Sequence, residues 1–445
     1  MLKALIRLLW ALCRASRLPL PFSLGYLHNG LMLIRAWFVL VLVLSSLSLA
    51  SPAQDLFNEV NSVLEQRYGG FSQVNLLSLE QKFQPDLDKV CAQDSACPTS
   101  KAVPVIQNLV GELGDRHTRY FTPADFADFQ ARLRGGSSSR PQIGVQLQAV
   151  PGLDGLLINE VTQGSPADRA GLQRWDRIIS VDGQSFPPSE EERVQFLRDK
   201  VASGLVVHLQ IQRGSTLLEV SLQGQQISLL QMPYLKVRPD GVAILRIPSF
   251  AGYARVGPRI HDLVREAQAK GAKAMVVDLR GDGGGLLSEC LVGAGAFVGD
   301  TFRRLKGPEY QSEEGYRNGA YYSGSFRSYR VKPASWTGPV TLLVDAKTAS
   351  CAEYFAFDLQ ERRQAIVIGQ PTAGVGNTAT QVVPLSDGSG IQITTAQAQH
   401  QDGTPYPDHV TPNILMTDDL KALALGHDLL LERAVETLFA AAQKP

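Results

Sequence analysis

Three short segments hold residue types able to do nucleophilic chemistry. In Val344-Asp345-Ala346-Lys347-Thr348-Ala349-Ser350-Cys351-Ala352-Glu353 an apolar strand ends, a turn follows, and Ser350 opens a helix. A hydroxyl there lies among free backbone amides and the positive end of the helix dipole, which favours developing negative charge. Ser350 therefore suits a nucleophile, and the amide of Cys351 an oxyanion hole. The same letters also spell a plain N-cap, with Glu353 closing a capping box. In Asp278-Leu279-Arg280-Gly281-Asp282-Gly283-Gly284-Gly285-Leu286-Leu287 a glycine run follows a buried strand. Such a run lets the backbone turn sharply and present amides to an oxyanion. No Gly-Lys-Ser/Thr follows it and no Gly-x-Gly-x-x-Gly is present, so a nucleotide loop is a distant alternative. In Gly114-Asp115-Arg116-His117-Thr118-Arg119-Tyr120, His117 is the side chain suited to moving a proton near neutral pH. A lone histidine is more often structural, so its weight comes from the company it keeps.

These residues need a scaffold, and the hydrophobic pattern supplies one. Residues 54–133 read as mainly helical, with Phe57, Val60, Val63 and Leu64 on one face. The stretch Arg134-Gly135-Gly136-Ser137-Ser138-Ser139-Arg140-Pro141 reads as a flexible linker and a domain boundary. Residues 142–226 turn to short strands. Gly164-Ser165-Pro166-Ala167-Asp168-Arg169-Ala170-Gly171 predicts one helical turn, with Ser165 as N-cap and Pro166 in the first position. Asp182-Gly183 predicts a hairpin turn. From Asp240 onward strands alternate with helices: residues 242–247, 274–279, 340–345 and 365–368 are apolar, with helices at 258–270 and about 350–360 between them. That order argues an α/β core with parallel strands. Residues 418–442 read as a helical tail.

The 445 residues imply two or three domains, and 44% hydrophobic with 19% charged residues is globular composition. Lys plus Arg equals Asp plus Glu at 43 each, so no basic excess exists to neutralise a phosphate backbone, which argues against nucleic acid as a partner. Met32-Leu33-Ile34-Arg35, an apolar run over residues 36–44, and small residues up to Ala50 have the form of a secretory signal. Residues 1–31 precede Met32 and read as a misplaced start or a long n-region. The expectation is an exported protein, periplasmic or extracellular, tied to the membrane only by its N-terminal segment if that segment is uncleaved. In an oxidising compartment Cys91 and Cys97 form a reasonable disulfide, while Cys290 and Cys351 read as buried thiols. No cluster has metal-ligand spacing, and no cofactor is implied.

Residues 142–226 resemble a PDZ domain. The resemblance implies a peptide added as a strand, with its C-terminal carboxylate on backbone amides around Ile143, Gly144 and Val145. Over residues 109–410 the chain resembles the C-terminal processing peptidases and their tricorn-type relatives, a serine peptidase family. The glycine loop, the Thr-Ala-Ser-x-x-Glu turn, Ile368-Gly369-Gln370-Pro371-Thr372-Ala373-Gly374 and Tyr406-Pro407-Asp408-His409-Val410 fall in family order. The resemblance implies an α/β, crotonase-like peptidase core with an inserted, mainly-β PDZ domain and a helical N-terminal segment. The expected boundaries are 1–50 for targeting, 51–140 for the helical segment, 141–226 for the PDZ domain and 227–445 for the core.

By the same resemblance Ser350 is the nucleophile of a serine endopeptidase acting on polypeptides. Gly284 or Gly285, together with Cys351, supplies the oxyanion hole. Many members pair the serine with a lysine, but Val375 stands where that lysine would be, and only Lys421 and Lys444 follow Ser350. Another branch draws a histidine from an Asp-Gly-His-Thr segment before the PDZ insertion, which makes His117 the general base. Glu353 and Asp408 are the candidates to orient it, and Lys347 reads as solvated. The leading alternative is a catalytically inactive peptide-binding protein of the same fold.

Overall fold

The computed structural model describes residues 50–94 and 96–442. The apolar stretch at residues 36–44, expected to belong to a secretory signal, lies outside them. Among the described residues no helix is long and apolar enough to cross a membrane.

The core is a six-stranded sheet in the order Ile414–Leu415, Ile366–Gly369, Val340–Val344, Ala274–Asp278, Val242–Arg246, Tyr234–Val237. All pairings are parallel except the last. These strands are apolar along their length because both faces are covered. Met275, Val277, Leu342 and Val344 face the helices Val256–Ala269, Leu287–Val298 and Cys351–Arg363. The alternate residues Val276, Leu343 and Ile368 face Leu430, Ala434 and Leu438 of the helix Leu429–Ala442. The expected tail helix is thus split in two, with a short helix at Leu420–Ala424.

A second sheet is antiparallel and turns on one long strand, Gly390–Gln399. One edge of that strand pairs with Thr378–Pro384, and the other with Arg119–Phe121 and Thr301–Lys306. The strand is therefore the ruler that sets Arg119–Phe121 across from Val382–Pro384 and brings the segments on either side of it into one sheet. Thr118 fixes the register further, its hydroxyl accepting from Thr394 N at 3.0 Å. Three N-terminal helices, Pro52–Arg67, Leu76–Cys91 and Thr99–Glu112, pack on this sheet through Ile391 and Ile393. Phe57, Val60 and Leu64 are fully buried there, worth about 1.5–3 kcal/mol each by area removed from water.

The inserted domain is a third sheet: Val145–Gln148, Leu156–Val161, Arg177–Val181, Gln184–Ser185, Val206–Arg213 and Thr216–Gln223. Ser165 caps the one-turn helix Pro166–Arg169, accepting from Asp168 N at 3.2 Å. Asp182 and Gly183 both have positive φ, as a two-residue hairpin turn requires. The stretch expected to be a flexible linker is instead pinned. Helix Pro123–Arg134 ends on a left-handed Gly135, and Ser137 and Gln142 then bridge Ser228 and Gln225 on the outgoing chain. Entry and exit run antiparallel and hold each other. Buried ion pairs join the inserted domain to the core: Glu160 to Arg246 at 2.8 Å and Arg174 to Asp278 at 2.6 Å. Burial opposes ionisation of Asp278, but Arg174, Arg280 and Arg246 around it hold its carboxyl well below the usual range.

Candidate active site

In an open α/β sheet the loops at the carboxyl ends of the strands converge. Here they are residues 247–250, 279–286, 345–350 and 370–376, and they meet at Ser350. Ser350 has φ 56° and ψ −118°, a conformation side chains rarely adopt. Such strain persists only where the surroundings over-determine it. Glu353 is one cause: its carboxylate accepts from Ser350 N at 2.7 Å and Val375 N at 3.2 Å, and on its other oxygen from Thr372 Oγ1 at 2.6 Å and Gly374 N at 2.9 Å. It ties the 372–375 loop to the start of the nucleophile helix. Burial pushes this carboxyl up, against the pull of those four donors. Gly284 is the second cause. A Cβ there would stand 2.7 Å from Ala349 O and 2.9 Å from Ser350 Cβ, so only glycine lets the loop close on the serine.

With Ser350 held, its Oγ lies 2.9 Å from His117 Nε2, across 233 residues of sequence. The other ring nitrogen, Nδ1, lies 2.8 Å from Thr378 Oγ1. Thr378 donates its hydroxyl proton to Val375 O at 3.2 Å, so its oxygen is left to accept from Nδ1–H. That assigns the tautomer: Nε2 is bare and accepts the Ser350 proton. Burial pulls the His117 pKa down to about 4, with Asp115 acting upward and Arg119 downward, so the ring is neutral at ordinary pH.

The structure thus sets Ser350, His117 and Cys351 together, and it differs from the sequence expectation in three places. Neither Glu353 nor Asp408 meets His117. Glu353 is spent on the loop, and Asp408 turns outward to His409 Nδ1 at 2.7 Å, more than half exposed. The orienting group is Thr378, a neutral hydroxyl. No motif marks it, and its only signal in the sequence is a position three residues past Val375. Secondly, the Gly284 amide donates to Asp282 Oδ1 at 2.8 Å and is not free for an oxyanion. The amides of Gly285 and Cys351 donate to no acceptor among the described residues. Thirdly, Cys290 and Cys351 are not free thiols but a disulfide, with Cα atoms 5.7 Å apart. It joins the helix after the glycine loop to the first residue of the nucleophile helix. Cys91 and Cys97 form a second disulfide. Lys347 donates to Gln148 Oε1 at 2.9 Å on the surface and does not reach Ser350.

One cavity of about 1480 Å³ takes in Ser350, His117 and the groove of the inserted domain. Strand Val145–Gln148 is an edge strand, and across the groove stands helix Glu190–Ala202 with Val194, Leu197 and Val201 lining it. Ile143 O and Gly144 O accept from Ala167 N and Thr162 N, while the amides of Ile143 and Gly144 have no acceptor among the described residues. Gly144 has φ +85°, and a Cβ there would stand 2.2 Å from Ser165 Cβ, so this loop too requires glycine. Among the described residues no group of His, Cys, Asp and Glu could hold a metal ion.

Comparison with known proteins gives two family matches: peptidase family S41 over residues 241–416 and the PDZ domain over residues 134–212. A carboxy-terminal processing protease of Bacillus subtilis is 28% identical over 301 residues, 67% of this chain and 60% of that protein. A carboxyl-terminal-processing protease of Picosynechococcus is 26% identical over 390 residues, 84% of this chain and 87% of that protein. A solved structure from Bacteroides fragilis assigned to the S41 proteases superposes with a TM-score of 0.60 at 18% identity, covering 86% of this chain and 97% of that one. This last likeness is one of fold.

Proposed function

We propose that this chain, which matches peptidase family S41 over residues 241–416 and the PDZ domain over residues 134–212, is an exported serine endopeptidase working through a Ser350–His117–Thr378 relay. The observation that carries this is the 2.9 Å contact between Ser350 Oγ and His117 Nε2. Nε2 takes the hydroxyl proton as Oγ attacks the peptide carbonyl. The oxyanion that forms is met by the amides of Gly285 and Cys351. The imidazolium keeps Nδ1–H on Thr378 and returns the Nε2 proton to the leaving amine. A water then enters by the same route, reversed, and releases the acyl group. Substrate C-termini dock on residues 143–145, supported by the unpaired edge strand and by a cavity shared with Ser350. Export is supported by the signal-like N-terminal pattern and by two disulfides, which persist in oxidising compartments.

Val375, in place of a lysine, favours a second reading in which the cleft captures peptides without cutting them. Proteolysis of casein separates the two. Wild type and Lys347→Ala cleave it, and Ser350→Ala and His117→Ala do not. A wild-type chain inert across pH and toward peptides of varied C-terminus refutes the enzyme and leaves the binder.

A further inference from the structure

The cavity that holds Ser350 is also lined by Cys351, Tyr354, Leu305, Ser312 and Glu314. Strands Thr301–Lys306 and Gln311–Arg317 are paired so that Leu305 faces Ser312 and Arg303 faces Glu314. Arg303 donates to Tyr354 O at 2.9 Å, which seats this strand pair against the first turn of the nucleophile helix. Tyr354 in turn donates its hydroxyl to Thr378 O at 2.8 Å, directly behind the relay. Glu314 therefore lines the same cavity as Ser350, on a strand pair seated against the helix that Ser350 opens.

Glu314 is half-buried, and its known partners are hydroxyls. Tyr321 donates to it and Ser323 lies beside it. No Lys, Arg or His pairs with it among the described residues. The neighbouring cations are engaged elsewhere: Arg303 with Asp358 and Arg304 with Glu313. The cavity's arginines, such as Arg119, Arg132 and Arg198, belong to the N-terminal segment and the inserted domain. A half-buried acid with no counter-ion, but with room to accept a further hydrogen bond, is suited to a cationic side chain.

We propose that Glu314 sets the specificity of cleavage, selecting lysine or arginine as the residue whose carbonyl Ser350 attacks. The proposal rests on Ser350 being the nucleophile. Its test uses peptide substrates differing only at that residue: lysine, arginine, norleucine, alanine and aspartate. Wild type cleaves the lysine peptide with a kcat/KM about 30-fold above its uncharged isostere, norleucine, as a paired charge in a partly buried site gives. Glu314→Gln brings that ratio close to one, Glu314→Asp keeps most of it, and Glu314→Lys turns the preference toward aspartate. Peptidyl phosphonates carrying the same side chains, reacting with Ser350, give the same ratios without turnover. A wild-type chain that cleaves or is labelled but favours norleucine, or a ratio unmoved by Glu314→Gln, overturns the role of Glu314 alone. A chain neither cleaving nor labelled overturns the nucleophile, and this proposal with it.

Discussion

Replacing Thr378 with valine removes one hydroxyl while keeping the shape of the side chain. His117 is 5% exposed, so its Nδ1–H would have no water to turn to. Leaving a buried donor unpaired costs about 1–3 kcal/mol. The ring escapes that cost by moving its proton to Nε2, where it faces Ser350 and can no longer accept. Either way the stabilisation of the transition state falls by a similar amount, roughly 10- to 100-fold in kcat. Val375 O keeps a donor in Thr378 N at 3.3 Å, so the loop itself is not stripped of its bonds. The assay is steady-state cleavage of a peptide substrate, with thermal unfolding measured alongside. Thr378→Val should lose activity with its midpoint lowered by no more than about 10 °C and the protein still folded at the assay temperature, and Thr378→Ser, which restores the oxygen, should recover most of both. Thr378→Val within twofold of wild type, or Thr378→Ser as impaired as Thr378→Val, would refute the relay.

The His117 pKa of about 4 predicts an acid limb of kcat/KM near pH 4 rather than near 6.5; a limb near 6.5 would contradict the buried, neutral base. Burial also lowers His261 to about 4, its ring held between Val292 O and Ala334 N. For both rings the unfolded chain binds more protons between about pH 6.5 and 4, so stability should fall as pH drops through that window, by a few kcal/mol in all, and be indifferent to these groups above it. Urea titrations across that range measure it. Reducing the Cys290–Cys351 disulfide, or replacing both cysteines with alanine, opens a closed loop spanning 61 positions and should cost about 4 kcal/mol by the chain-entropy relation. Gly284→Ala should abolish activity with the protein still folded, because φ +90° and the 2.7 Å approach to Ala349 O leave no room for a methyl beside the strained serine. Peptidase assay with circular dichroism distinguishes that loss from unfolding.

Segments with strong periodicity or named turn chemistry were legible in the sequence. The Ser-Pro helical turn, the Asp-Gly hairpin, the buried parallel strands and the serine at a strand-to-helix turn rest on local physics that survives in the fold. What was not legible depends on register between distant strands. Thr378 becomes the partner of His117 because both flank strand Gly390–Gln399, and nothing local to Thr378 announces it. Glu353 was visible as a capping residue, and that plain reading describes its bond to Ser350 N; its hold on residues 372–375 was not visible. Gly284 and Gly285 read alike as letters, but Asp282 claims the amide of the first. The serine-rich stretch before Pro141 has linker composition, yet it pairs with the outgoing chain because both ends of an inserted domain must return to one place.

The proposed relay joins residues far apart in the chain. His117 precedes the inserted domain, whereas Ser350 lies 233 positions later and Thr378 later still. The strand that lies between their segments, Gly390–Gln399, comes after all three. Closing a loop over such a span carries a large entropic cost and raises the contact order, which slows folding. If the proposed relay holds, a fragment that ends before residue 390 should carry an inert serine.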